Sequence, residues 1–216
     1  MTRGFAPRLV IFAKAPQPGA VKTRLIPALG TEGAAALARR MLTHILQEAL
    51  AAQVGPVELC MSPGPDDPAW RNVAVPRAIA RTIQGEGDLG ARMAGAVRRV
   101  TLGHRQPVLL MGADCPGLTA ARIGEAACQL QSHDAVLLPV ADGGYVLIGL
   151  KAPCPELFTA MRWSTPTVAA ETLQRMAALG LRVWLGPQLH DIDEPADLAH
   201  LPAGFCSVPV GRVGAA

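Results

Sequence analysis

Residues 9–25 read LVIFAKAPQPGAVKTRL. The five apolar residues 9–13 have the length and composition of a strand buried on both faces, where no solvent side demands polar alternation. The run stops at Lys14, and Pro16, Pro18 and Gly19 then forbid regular structure. Lys22, Thr23 and Arg24 therefore stand in a loop directly after a buried strand. In open α/β sheets such loops, at the carboxyl ends of strands, are where ligands bind.

Working outward, the rest of the chain alternates in the same way. Leu37, Met41, Leu42, Ile45, Leu46, Ala49 and Leu50 recur at helical spacing, with Thr31 as the expected N-cap and Gly55 past the end. Strands are predicted at 57–61, 78–83, 107–111, 135–140, 145–150 and 181–185. Asp88 is expected to cap a helix carrying Leu89, Met93, Val97 and Val100 that stops by Gly103. Thr119 is expected to cap another with Ile123, Ala127 and Leu130. Ser164 opens a helix with Pro166 in its first turn, ending at Gly180, and 195–201 is a short helix. The tight turn Asp142-Gly143-Gly144 makes 135–150 an antiparallel hairpin. Strands alternating with helices predict an α/β fold, a three-layer α/β/α sandwich on a mostly parallel mixed sheet. We expect one domain over 1–216, with its core at about 8–201 and a short C-terminal tail.

Composition narrows the function classes. Of 216 residues, 50% are hydrophobic, enough for a sizeable core, and 17% are charged. Gly and Pro, 22 and 19 residues, exceed their usual share, which implies many sharp turns rather than disorder. The net charge of +3 comes from scattered cations, so local anion sites are expected and a nucleic-acid face is not. Cys60, Cys115, Cys128, Cys154 and Cys206 form no CxxC pair and are odd in number, which argues against a zinc site or a disulfide scaffold. No apolar run approaches a membrane span, and the N-terminus lacks a signal-peptide core. The expectation is a cytoplasmic protein.

Three segments carry candidate chemistry. In the first, Lys14, Gly19, Lys22, Thr23 and Arg24 can wrap a phosphate chain with cations, a hydroxyl and backbone amides. The plainer reading is a solvated loop. It is not a Walker loop, because Val21 rather than Gly precedes Lys22, and this loop holds no GxGxxG. In the second, Asp114 follows the strand at 107–111 within Gly112-Ala113-Asp114-Cys115-Pro116. A carboxylate there can hold Mg²⁺ or Mn²⁺ together with phosphate oxygens, or it can simply cap a turn. In the third, Asp191-Ile192-Asp193-Glu194-Pro195-Ala196-Asp197 crowds carboxylates before a short helix. Asp193 is the better ligand candidate, and Asp197 suits the first turn by its charge on the helix dipole.

Two further segments are secondary. Gln84, Gly85 and Gly90 belong to a glycine-rich stretch that can contact a base or ribose. Asp142, Gly143, Gly144 and Tyr145 can be a hairpin turn or the wall of a substrate pocket. Cys115 has no identifiable His partner, so a thiol nucleophile is not expected.

On these residues the chain resembles the GT-A fold superfamily of nucleotide-diphospho-sugar transferases. More narrowly, it is similar to a bacterial group labelled glycosyltransferase that includes arsenosugar-biosynthesis members. The matching segments are 14–25, 84–93, 112–116, 142–150 and 191–198, in family order. The resemblance implies that the N-terminal half binds a nucleotide, that Lys22 and Arg24 face phosphates, and that Asp114 and Asp193 hold a divalent cation, Mg²⁺ or Mn²⁺. It places the acceptor or sugar near 142–145. Two departures bear on reaction type. The usual Asp-x-Asp is replaced by Asp114-Cys115-Pro116, which is closer to nucleotidyltransferases that handle molybdopterin or phospholactate. The nucleotidyltransferase signature is also incomplete, since Ala28 rather than Lys follows Pro27.

The first expectation is thus a metal-dependent transferase taking a nucleotide-diphospho-sugar and a small-molecule acceptor, with Asp142 and Asp191 as candidate general bases beside Asp114. The second is a nucleotidyltransferase using an NTP and a phosphorylated acceptor. The third is a non-catalytic nucleotide-binding protein. The Asp191-Ile192-Asp193 pair lies too late in the chain for a haloacid-dehalogenase phosphatase. The oligomeric state is not legible.

Overall fold

A computed structural model describes residues 6–203 and 205. Cys206 and the end of the tail lie outside them, and the four described cysteines are free thiols. The strands are β1 (Arg8–Lys14), β2 (Val57–Ser62), β3 (Ala80–Ile83), β4 (Val108–Met111), β5 (Ala135–Pro139), β6 (Tyr145–Leu150) and β7 (Val183–Leu185). The helices are α1 (Ile26–Ala51), α2 (Leu89–Arg98), α3 (Ala120–Ser132) and α4 (Val168–Ala178). The seven strands form one sheet in the order β3-β2-β1-β4-β6-β5-β7. Only β6 runs antiparallel to its neighbours, β4 and β5; all other pairs are parallel.

Strand alternation sorts the core into two layers. Leu9 and Ile11 of β1 join Leu42, Ile45 and Leu46 of α1 and Ile123, Ala127 and Leu130 of α3 on one face. Val10 joins Met93 and Val97 of α2 and Ala169 and Met176 of α4 on the other. This is the expected α/β/α sandwich, and it explains why the central strands read as unbroken apolar runs. Among the described residues, no helix is long and apolar enough to cross a membrane.

Several helix ends differ from the sequence expectation. α1 begins at Ile26 rather than Thr31, with Pro27 in its first turn, where a missing N–H is harmless. The backbone breaks at Gly30 (φ 70, ψ 167), immediately before the expected start. Asp88 caps α2 as expected, its Oδ1 accepting the Ala91 N–H at 2.8 Å. The chain then continues past Gly103 as a π-helical stretch, Arg99–His104. The Thr119 side chain makes no cap; Glu48 of α1 accepts the Ala120 N–H at 2.6 Å instead. Ser164 sits at φ 61, outside the right-handed helix, so α4 starts four residues later, at Val168.

Candidate functional site

Strand direction determines which loops meet. β1, β2, β4, β5 and β7 all end on one edge of the sheet, and antiparallel β6 begins there. The basic turn after β1, the Asp114 turn after β4, the 140–144 hairpin and the 186–194 segment after β7 therefore share that edge.

The last of these is tied down by backbone bonds. Leu189 donates to the Pro139 carbonyl at 2.9 Å and accepts from the Ala141 N–H at 3.0 Å. The Ile192 N–H donates to the Asp114 carbonyl at 2.9 Å. The Ile192 side chain is fully buried among Leu25, Ala34, Leu37 and Met41, a contribution of about 1.5–3 kcal/mol. With Ile192 inward, Asp191 and Asp193 on either side of it line the cleft. Asp197 acts as a cap, its Oδ2 accepting the backbone N–H groups of Asp193 at 3.0 Å and Glu194 at 2.7 Å.

Lys22 is the centre of the polar end. Its Nζ donates to Asp114 Oδ2 at 3.1 Å and to Asp193 Oδ1 at 3.3 Å. Arg24 Nη1 donates to Asp193 Oδ2 at 3.0 Å and lies 3.6 Å from Glu194 Oε1. The Lys22 side chain is only 10% exposed, against 45% for Asp114 and 40% for Asp193. Burial pulls its ammonium down, but the charges of Asp114 and Asp193 and the hydrogen bonds to both outweigh this and hold its pKa above the usual lysine value.

Beside this cluster opens a cavity of about 490 Å³, within the size range of small-molecule sites. Phe12, Met41, Leu110 and Val146 form part of its apolar wall. Lys14, Lys22, Asp114, Asp142, Asp191 and Asp193 gather at its polar end. Burial, together with the charges of Asp142 and Asp114, raises the Asp191 carboxyl to about 6. Among the described residues, no three His, Cys, Asp or Glu are arranged to hold a metal by themselves. Cys115 is buried, which pushes its thiol up to about 12, so it is no thiolate nucleophile.

The other sequence candidates divide. Gly144 and Tyr145 line the cavity with Asp142. Tyr145 packs edge-to-face on Trp163, ring centroids 6.5 Å apart, and burial raises its phenol above the ordinary value. Gly143 (φ 89) has a structural cause: a Cβ there would lie 2.0 Å from the Pro166 carbonyl oxygen. Gly90 likewise faces the Phe158 carbonyl, 2.3 Å from where a Cβ would stand. Both glycines thus make room for neighbouring backbone, and for Gly143 this fits the hairpin-turn alternative. Gln84 donates from Nε2 to the carbonyls of Ala13 and Cys60, both at 3.1 Å, fastening the ends of β1 and β2. Gly19 (φ 75) and Gly85 (φ 85) are exposed in their loops, and Thr23 is exposed at the start of a 3-10 turn, Thr23–Leu25. Trp163, Ser164 and Thr165 also line the cavity and were missed. Their only signal was a Trp in a Pro-punctuated loop that read as the start of a helix.

A family model described as an uncharacterized protein conserved in bacteria, DUF2064, matches residues 45–165. The chain belongs to this family. The DUF2064 match contains Asp114, Asp142 and Tyr145, while Lys22, Arg24, Asp191 and Asp193 lie on either side of it. A crystal structure from Desulfovibrio desulfuricans G20, provisionally assigned as a nucleotide-diphospho-sugar transferase, is 32% identical. The alignment covers 95% of this chain and 90% of that one, with a TM-score of 0.84. A cytidylyltransferase from Leptospira borgpetersenii shares the fold at 12% identity and TM-score 0.57, over 90% of this chain and 84% of that one. The manganese complex of Rv0371c from Mycobacterium tuberculosis does so at 14% identity and TM-score 0.54, over 91% and 98%. No curated protein matches this DUF2064 chain.

Proposed function

We propose that the chain is a transferase that binds a nucleotide-diphospho-sugar in the cleft and passes the sugar to a hydroxyl of a small acceptor. The observation that carries this reading is the meeting of Lys22 and Arg24 with Asp114 and Asp193 at the mouth of the cavity. Two carboxylates are hard oxygen donors of the kind Mg²⁺ and Mn²⁺ take, and Mg²⁺ commonly completes its shell with substrate phosphates and water. The Lys22 ammonium between them marks where this site draws positive charge. A divalent ion held by Asp114 and Asp193 would offset charge on the departing diphosphate.

The chain's own residues do the rest. Lys22 and Arg24 hold phosphate oxygens, with Lys14, Gly19, Thr23 and Gly85 bordering the nucleotide. Asp142, Gly144 and Tyr145 orient the acceptor. Asp191, at about 6, is ionised at neutral pH yet basic enough to take the acceptor hydroxyl's proton. The apolar wall keeps water from competing for the sugar. Gln84, Gly90 and Gly143 support the scaffold.

A second reading is favoured by one feature, the single carboxylate of Asp114-Cys115-Pro116. The same cations would then serve attack by an acceptor phosphate on the α-phosphorus of an NTP, releasing pyrophosphate. A melting-temperature screen of NDP-sugars and NTPs with and without Mn²⁺, followed by product analysis with acceptor panels, separates the readings. Stabilisation by an NDP-sugar and release of its nucleoside diphosphate is the expected result. Pyrophosphate release from an NTP favours the second reading. Binding without turnover overturns both, as does no stabilisation by any nucleotide.

A further inference from the structure

We propose that Lys22 is a built-in counter-ion that occupies the divalent cation's place until a nucleotide diphosphate draws it away, so that metal and nucleotide bind as a coupled pair. The inference rests on the reading above and concerns the order in which that site fills.

The geometry is that of an exchangeable cation. One ammonium, nearly buried, reaches both half-exposed carboxylates at 3.1 and 3.3 Å. Each carboxylate comes from a separate loop, and the Ile192–Asp114 backbone bond holds those loops in register. A divalent ion bound to the same oxygens would sit beside Nζ, and the two like charges repel strongly over so short a distance. Lys22 and the metal therefore compete for Asp114 and Asp193. Asp142 and Asp191 lie nearby, but among the described residues no third carboxylate joins Asp114 and Asp193 in an arrangement that holds a metal by itself.

A diphosphate changes both sides of the balance. It offers Lys22 replacement oxygens of higher charge, and it offers the metal the ligands that two carboxylates lack. The backbone of Lys22 is also strained. It lies at φ 48 and ψ 42, a left-handed conformation that side chains other than glycine seldom hold without compensating contacts. Its side chain is held by the two ion pairs, and its carbonyl accepts the Leu25 N–H at 2.9 Å. Once Lys22, and with it Arg24 on Asp193, turns to phosphate, the carboxylates are free for the ion. By linkage, the metal must then raise nucleotide affinity by the same factor that the nucleotide raises metal affinity. The arrangement would keep the cleft from loading a metal without its substrate.

Mn²⁺ binding, read by the paramagnetic resonance signal of the free ion, tests this without any turnover. Wild type, Lys22→Met and Lys22→Gln are titrated with Mn²⁺ alone, and then with a nucleoside diphosphate present; circular dichroism verifies that each variant is folded. Without nucleotide, both variants should bind Mn²⁺ about tenfold more tightly than wild type, a typical size for a coupling of this kind. The diphosphate should tighten Mn²⁺ binding strongly in wild type and much less in the variants. Folded variants that bind Mn²⁺ alone no better than wild type overturn the proposal. If neither variant folds, the wild type decides it, since equal Mn²⁺ affinity with and without bound diphosphate also overturns it. Failure of the transferase reading looks different: no nucleoside diphosphate binds under any condition, while the metal-only comparison still reports on Lys22.

Discussion

The Ile192 N–H donates to the Asp114 carbonyl oxygen at 2.9 Å. This one bond ties the turn after β4 to the segment after β7. It sets Asp193 opposite Asp114 before either carboxylate makes a contact of its own.

Ile192→Ala should therefore damage stability and ligand binding together. Removing a fully buried Ile side chain costs about 2–5 kcal/mol, measurable as a lower urea midpoint. At temperatures where the variant is still folded, Mn²⁺-dependent nucleotide affinity should also fall. A normal affinity would show that the Ile192 anchor does not position Asp193.

Asp114→Asn should remove the metal-dependent part of nucleotide binding while leaving the fold intact. Asp114 is half-exposed and the nearly buried Lys22 keeps Asp193 as a partner, so the stability loss should be about 1 kcal/mol. Calorimetric titration with and without Mn²⁺ gives the answer; an unchanged Mn²⁺ effect would remove Asp114 from the site.

Arg24→Ala should weaken binding of a nucleoside diphosphate by about tenfold, the scale of one charged hydrogen bond, and leave binding of the bare nucleoside unchanged. Only the diphosphate has the oxygens that Arg24 can hold. The side chain is 60% exposed, so the melting temperature should barely move. Equal losses for both ligands would place Arg24 away from the phosphates.

The pH dependence of Asp191 has a definite sign. Its carboxyl is raised from 3.8 to about 6 in the folded state. Folding is thus favoured by its proton, and that stability, full below pH 3.8, is lost as pH rises through about 6. Asp191→Asn should melt higher than wild type at pH 7.5 in EDTA, and the difference should vanish near pH 4. A difference constant across that range would contradict the raised value.

Local sequence was enough for the elements and for the chemistry each loop carries. The 9–13 run, the helical period from Leu37 to Leu50 and the Asp88 cap depend on neighbours within a few residues, and they appear where read. The basic turn, Asp114, Asp142 and the 191–193 pair were legible because Gly and Pro placed them just beyond strands. Helix starts were legible only where the capping group was local. The Glu48 carboxylate that caps α3 comes from another helix, so nothing near Thr119 could announce it. The structural need for Gly90 and Gly143 was hidden for the same reason, since the backbone each must clear belongs to a distant segment.

The sequence by itself, then, determined which residues could bind an anion or a cation, and roughly at which end of which strand. It led to the expectation of acidic segments opposite the basic turn, with a divalent cation held between Asp114 and Asp193. Tertiary structure alone placed Lys22 in that gap, joined Asp114 to Ile192 and assembled the cavity wall from Trp163 to Thr165. Those relations depend on strand order and on side chains meeting across loops far apart in the chain. No periodicity records such meetings, because they follow from how the whole sheet packs rather than from any local preference.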